Sequence, residues 1–161
     1  MSQKIESINQ HAQRELVITR IFDAPRELVF KAWLDPRHIA HWWGPDGFTT
    51  PVCELDARPG GAIHIDLQGP DGTIYPGGGA FHEIVEPERI VLTTTAFSDD
   101  DGNPLLEVLN TVTFDEYNGK TKLTLRAVVI RSTPEVLAAI DGMEVGWTQS
   151  LGRLAIYLAK N

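Results

Sequence analysis

The apolar positions of this chain change period twice, and each change marks a boundary between kinds of secondary structure. From Glu15, Leu16 and Ile18 alternate with polar neighbours and lead into Arg20-Ile21-Phe22, a β-branched pattern that predicts a strand. Asp23-Ala24-Pro25 interrupts it. Pro25 and Glu27 suit a first helical turn, and Leu28, Val29, Ala32 and Trp33 follow at helical spacing. Asp35-Pro36 ends that helix, because a residue before proline is pushed out of the α region. A second short helix is expected from His38 to Trp43, closed by Gly44-Pro45.

Beyond it the period becomes two. Segments 49–56, 62–68, 73–85, 89–97, 107–117 and 120–130 alternate or run β-branched. Turn signals separate them: Pro59-Gly60-Gly61, Gly69-Pro70-Asp71-Gly72, Asp99-Asp100-Asp101-Gly102 and Asn118-Gly119, the last a strong hairpin signal. Short turns between successive strands imply an antiparallel meander. The tail is helical again. Ser132-Thr133-Pro134-Glu135 has the form of a capping box, Gly142 breaks the start, and Met143, Trp147, Ser150, Leu151, Leu154 and Leu158 mark one helix face. Gly146 and Gly152 each cost this helix about 0.5–1 kcal/mol relative to alanine, which predicts a close approach of another element or a ligand at one of them. The order β, α, α, six β, α makes an α+β domain with the last helix lying across the sheet. Residues 1–14 carry no clear period and read as a flexible lead-in to one domain over residues 15–161.

Composition narrows the setting. The 161 residues are 42% hydrophobic and 22% charged, in keeping with a globular domain and not a disordered chain. Fourteen basic residues against 22 acidic ones leave a formal charge of −8, which repels phosphate backbones, and no Lys/Arg run offsets it. No nucleic-acid partner is expected. No apolar run is long enough to span a bilayer, and the polar opening lacks the core of a secretory signal, so membrane insertion is not expected either. The single cysteine, Cys53, precludes an internal disulfide or a multi-cysteine metal cage and fits a reducing cytoplasm.

Candidate chemistry is sparse. His38 and His41 are three residues apart, yet a metal would need further ligands, so a solvated helix face is the better reading and no metal or cofactor is expected. His64 and His82 lie in alternating segments that would pair as a hairpin over 62–85, and Glu54 and Asp56 alternate in the strand before. Pairing could gather these groups on one face for acid–base work; the plainer alternative is that this face meets solvent. Alternation alone cannot choose between them. No nucleophile elbow or phosphate loop is present, and Gly77-Gly78-Gly79 reads as a bulge or close backbone approach. All four tryptophans fall on helical segments. Adjacent Trp42 and Trp43 must point apart, one to the core and one to a cavity or surface.

Taken in order, several landmarks resemble a known family. Arg20-Ile21-Phe22-Asp23-Ala24-Pro25 is followed by Val29-Phe30-Lys31-Ala32-Trp33-Leu34-Asp35-Pro36, then by Trp42-Trp43-Gly44-Pro45. Glu54, Arg58 and Gly60-Gly61 come next, then Gly79-Ala80-Phe81-His82-Glu83-Ile84, and Gly142-Met143 with Gly146-Trp147 opens the last helix. From Leu16 to Leu158 the chain is similar to homologues of the activator of the heat shock protein 90 ATPase, within the START-like or SRPBCC superfamily. The resemblance implies a helix-grip fold, a curved antiparallel sheet wrapped around a long C-terminal helix with a cavity between them. It also implies a scaffold for hydrophobic ligands. The leading functional reading is therefore a module binding a small hydrophobic or amphipathic molecule through Trp33, Trp43, Phe81, Phe97, Met143, Trp147 and Leu151, with His64 or His82 as polar contacts. A small cyclase- or hydrolase-like enzyme using His64, His82, Glu54 or Asp56 is the second reading, and a chaperone-binding interaction domain the third.

Overall fold

The alternation that begins at Glu15 becomes one antiparallel sheet of eight strands. The computed structural model describes residues 14–160. In chain order the elements are β1 (Glu15–Phe22), α1 (Arg26–Lys31), α2 (Pro36–Ile39), β2 (Thr49–Leu55), β3 (Ala62–Gln68), β4 (Ile74–Tyr75) and β5 (Gly77–Val85). Then follow β6 (Arg89–Ser98), β7 (Pro104–Tyr117), β8 (Lys120–Arg131), a 3₁₀ turn (Pro134–Val136), α3 (Leu137–Asp141) and α4 (Met143–Ala159). The strand order is β1-β8-β7-β6-β5-β3-β2, with β4 also on β3. Register shifts at Thr49/Val52, Phe81/Glu83 and Glu107/Val108 are bulges, each of which bends its strand and curves the sheet.

Four expectations need correction. Segment 73–85 is two strands, because Pro76, which has no N–H to give a ladder, separates β4 from β5. The second helix is Pro36–Ile39: it starts earlier than expected because Asp35 caps it by accepting from the Arg37 N–H at 2.9 Å, and it stops short of Trp42 and Trp43, which fall in the turn and loop that follow. The Ser132–Glu135 capping box does not form. The turn tightens to 3₁₀ geometry, so the Val136 N–H bonds the Thr133 carbonyl, and the Thr133 hydroxyl is buried with no partner. Finally, a Cβ at Gly146 would lie 3.8 Å from Pro45 Cγ, and one at Gly152 3.8 Å from Arg20 Nη1, ordinary contacts that require no glycine. The triple glycine, in contrast, is a close approach: a Cβ on Gly79 would stand 1.9 Å from the Thr93 carbonyl oxygen. Residues 1–13 of the expected lead-in lie outside the described residues. Arg14, its last residue, is held, its carbonyl accepting from Val129 N–H and its guanidinium pairing with Asp141 at 2.5 Å.

The core divides in two. The larger part sets Leu151, Leu154 and Leu158 of α4 against Phe81, Ile90, Leu92, Val112, Phe114, Leu123 and Leu125 of the sheet, with Val29, Phe30, Trp33 and Trp42 closing one flank. The smaller part packs Val136 and Ile140 on Leu106, Val108, Ala127 and Val129. Helix periodicity on one side and strand alternation on the other thus meet in the arrangement expected of an α+β layer pair.

Two measurements follow from these local features. Gly152→Ala, with room for its methyl, should raise stability by about 0.5–1 kcal/mol in urea denaturation, and a loss would show that the helix needs glycine there. At Asp35, hydrogen bonds from the Arg37 side chain and backbone bring the carboxyl from the usual 3.8 down to about 2. Asp35→Ala should cost about 1 kcal/mol at pH 7. Since the folded state holds the stronger acid, that difference should be full above pH about 4 and shrink as pH falls towards 2, as read from paired denaturation curves.

Candidate functional site

Between the two parts of the core lies a cavity of about 480 Å³. Ile63, Ile65 and Leu67 of β3, Thr94 and Ala96 of β6, and Leu106 and Val108 of β7 line its sheet side. Ala139, Gly142 and Trp147 line the helical side, and Trp43, Pro45 and Phe48 supply a wall from the loop after α2. Tyr75 and Phe97, both exposed, stand where the cavity meets solvent. Phe97 adopts φ 57°, a left-handed backbone that bulky residues avoid.

The loop wall is fastened to α4. Ser150 Oγ accepts from the Gly44 N–H at 3.0 Å, and Gln149 Oε1 accepts from the Asp46 N–H at 3.1 Å. Arg153 Nη1 donates to the carbonyls of Trp43, Gly44 and Pro45 at 3.3, 2.9 and 3.0 Å. One guanidinium thus satisfies three backbone acceptors in a stretch without regular structure. Gly44 is required here: its φ is 101°, and a Cβ would lie 2.7 Å from Leu67 Cδ2. The aromatic wall is continuous, with Trp147 stacked on Trp33 at 5.8 Å and meeting Trp43 edge-on at 5.4 Å.

The residues picked from sequence fall into distinct places. Trp43, Phe97 and Trp147 line the cavity. Trp33, Phe81 and Leu151 are buried in the larger core behind it. Met143 packs beside the smaller core and lines a separate small pocket with Leu16 and Ile140. Trp42 and Trp43 do diverge: Trp42 is fully buried with its N–H on the Ala32 carbonyl at 3.1 Å, while Trp43 is half-buried.

The histidines take the opposite face. Ile63 and Ile65 point inward, so His64 points out, between its cross-strand neighbour Glu54 at 3.4 Å and Asp66 at 2.9 Å. His82, beside inward Phe81, is exposed and meets the Thr93 hydroxyl at 3.1 Å. His64 lies opposite Gly78, four residues from His82 along β5, so pairing does not make the imidazoles neighbours. Asp56 pairs with Arg58 at 2.7 Å. No imidazole or carboxylate is among the described residues lining the cavity. His38 and His41 both meet Tyr157 of α4, the first by a 2.6 Å hydrogen bond and the second by stacking. Cys53 is a poor nucleophile, since burial and then the nearby Asp35 charge push its thiol up.

Sequence reasoning missed Phe48, Leu67, Tyr75, Leu106 and Val108. A usable signal existed in Leu106, Val108, Val112 and Phe114, which share one face of a period-two series.

A curved sheet gripping a terminal helix around such a cavity invites comparison with known proteins. The profile of the Activator of Hsp90 ATPase homolog 1-like protein family matches residues 23–159. The chain belongs to this family. Solved structures match most of the chain. A protein of Chromobacterium violaceum is 33% identical with a TM-score of 0.74, covering 88% of this chain and 94% of its own. One from Arthrobacter aurescens is 26% identical with a TM-score of 0.78, covering 91% and 87%. The AHSA1 protein of Silicibacter pomeroyi is 28% identical with a TM-score of 0.72, covering 90% and 97%. No curated protein matches the sequence. The fold is thus the helix-grip arrangement of the START-like superfamily. No helix among the described residues is long and apolar enough to cross a membrane.

The fastening of the loop is open to test. Arg153→Ala leaves three partly buried carbonyls without their donor and should cost about 1.5–3 kcal/mol. Tryptophan emission should shift as Trp43 loosens; unchanged stability would show that water replaces the guanidinium at no cost.

Proposed function

We propose that this protein binds a small hydrophobic or amphipathic molecule in the cavity between the sheet and its C-terminal helices, within a reducing cytoplasm where Cys53 stays a free thiol. The observation that carries this reading is the cavity itself, about 480 Å³ with a predominantly apolar and aromatic wall. Ligand sites have this size and character, with few polar groups to orient the guest. Trp43, Trp147 and Phe97 would contact the molecule. Trp33, Phe81 and Leu151 would stiffen the wall from behind, and Met143 would pack under the helix start.

Dye uptake tests the proposal. An environment-sensitive hydrophobic dye should bind the folded protein, quench tryptophan emission and raise the melting temperature with dye concentration, because it binds the native state alone. Trp147→Ala should weaken uptake roughly tenfold or more, as loss of a central aromatic anchor does. His64→Ala and His82→Ala, on the outer face, should leave it unchanged. A folded protein that takes up no apolar molecule would overturn the reading.

A further inference from the structure

Thr94, Thr95 and Tyr75 bring hydroxyls to the cavity wall, and a buried carboxamide behind the wall gives that of Thr94 a defined direction. On β7, Asn110 interrupts the inward series Leu106, Val108, Val112, Phe114 and is fully buried. Its Nδ2 donates to the backbone carbonyls of Leu92 and Val108, both at 3.3 Å, and to Thr94 Oγ1 at 3.1 Å. Two carbonyl partners fix which end of the carboxamide is the nitrogen, since a carbonyl cannot donate. Thr94 Oγ1 must therefore accept from Asn110, and its own proton is left to donate elsewhere. That proton has no acceptor among the described residues, and Thr94 lines the cavity. The Asn110 Oδ1 is likewise buried without a partner. A carboxamide oxygen buried without a hydrogen bond is costly, so this residue is not there for packing alone.

The second observation is charge. No Asp, Glu, Lys, Arg or His is among the described residues lining the cavity, so an ionic end drawn in as far as Thr94 would be desolvated without a counter-ion. A neutral oxygen faces no such cost and can accept the Thr94 hydroxyl proton.

We infer that the cavity selects an uncharged amphiphile whose alcohol or carbonyl oxygen accepts a hydrogen bond from Thr94, with Asn110 as the positioning residue that aims the hydroxyl. The inference rests on the reading that the cavity binds a ligand, and it replaces the histidines as the source of polar recognition.

Competition against the hydrophobic dye separates the two. Decanol, decanoate and decylamine share a chain and differ in their polar end. Decanol should displace the dye from the unaltered protein at least tenfold more effectively than either ion at pH 7. Thr94→Val keeps the β-branched shape and removes the hydroxyl; it should lower the preference for decanol over the dye by about three- to tenfold, the range of one neutral hydrogen bond. Thr94→Ser should restore most of that preference. No dye uptake at all would overturn the cavity reading and this inference together. Uptake with equal displacement by decanol and decanoate would overturn the inference alone. So would a Thr94→Val protein, folded by its melting curve, with an unchanged decanol preference. The comparison among the three competitors needs no variant and stands even if the substitutions fail to fold.

Discussion

A sheet this wide cannot be covered by the helices laid across it, and the rest of the structure follows from that mismatch. Seven strands in one path at about 4.8 Å spacing make a sheet roughly 29 Å wide, and whichever way a helix lies it covers a strip of that face only about 10–12 Å broad. The leucines of α4 seal one zone of the inner face, and Val136 and Ile140 seal another. Trp33 and Trp42 fill the flank beside α1. What lies between has no further element to cover it. Curvature from the bulges turns that gap into a cavity, and the loop pinned by Ser150 and Arg153 gives it a wall.

The division of labour along α4 is a consequence. Leu151, Leu154 and Leu158 pack on the sheet and hold the helix in place. One turn earlier, Trp147 faces the cavity, while Ser150 and Arg153 reach sideways to the Trp43–Pro45 stretch. Core packing and the cavity wall thus use neighbouring stretches of one helix. Removing a leucine here would act through cavity cost in the core, and altering the Gly44 loop would act through shape at the site. A similar fold in relatives only 26–33% identical shows how loosely the scaffold constrains its sequence.

The element order was legible because period two and period 3.6 differ plainly, and Gly, Pro and Asn-Gly mark the turns. Boundaries slipped where a local contact outweighed pattern, as at Asp35 and Pro76. The site was harder to read. Alternation is symmetric, so it shows that Ile63 and His64 face opposite ways without saying which faces the helix. An apolar side chain also reads the same whether it fills the core, as Trp33, Phe81 and Leu151 do, or lines a cavity, as Trp43 and Trp147 do. The informative residue was the exception, Asn110, a lone polar member of an apolar series.

The pairing of β1 with β8 has a bearing on how the chain comes off the ribosome. Glu15–Phe22 is made well before Lys120–Arg131, its ladder partner among the described residues. Roughly one hundred residues must be added between them, about 5–20 s at ordinary rates of synthesis. Throughout that interval the first strand has open backbone groups on both edges, and Val17 and Ile21 remain about half exposed even in the finished sheet. Glu15 and Arg20 place charges in the same strand, which disfavours pairing with another nascent copy before the proper partner arrives.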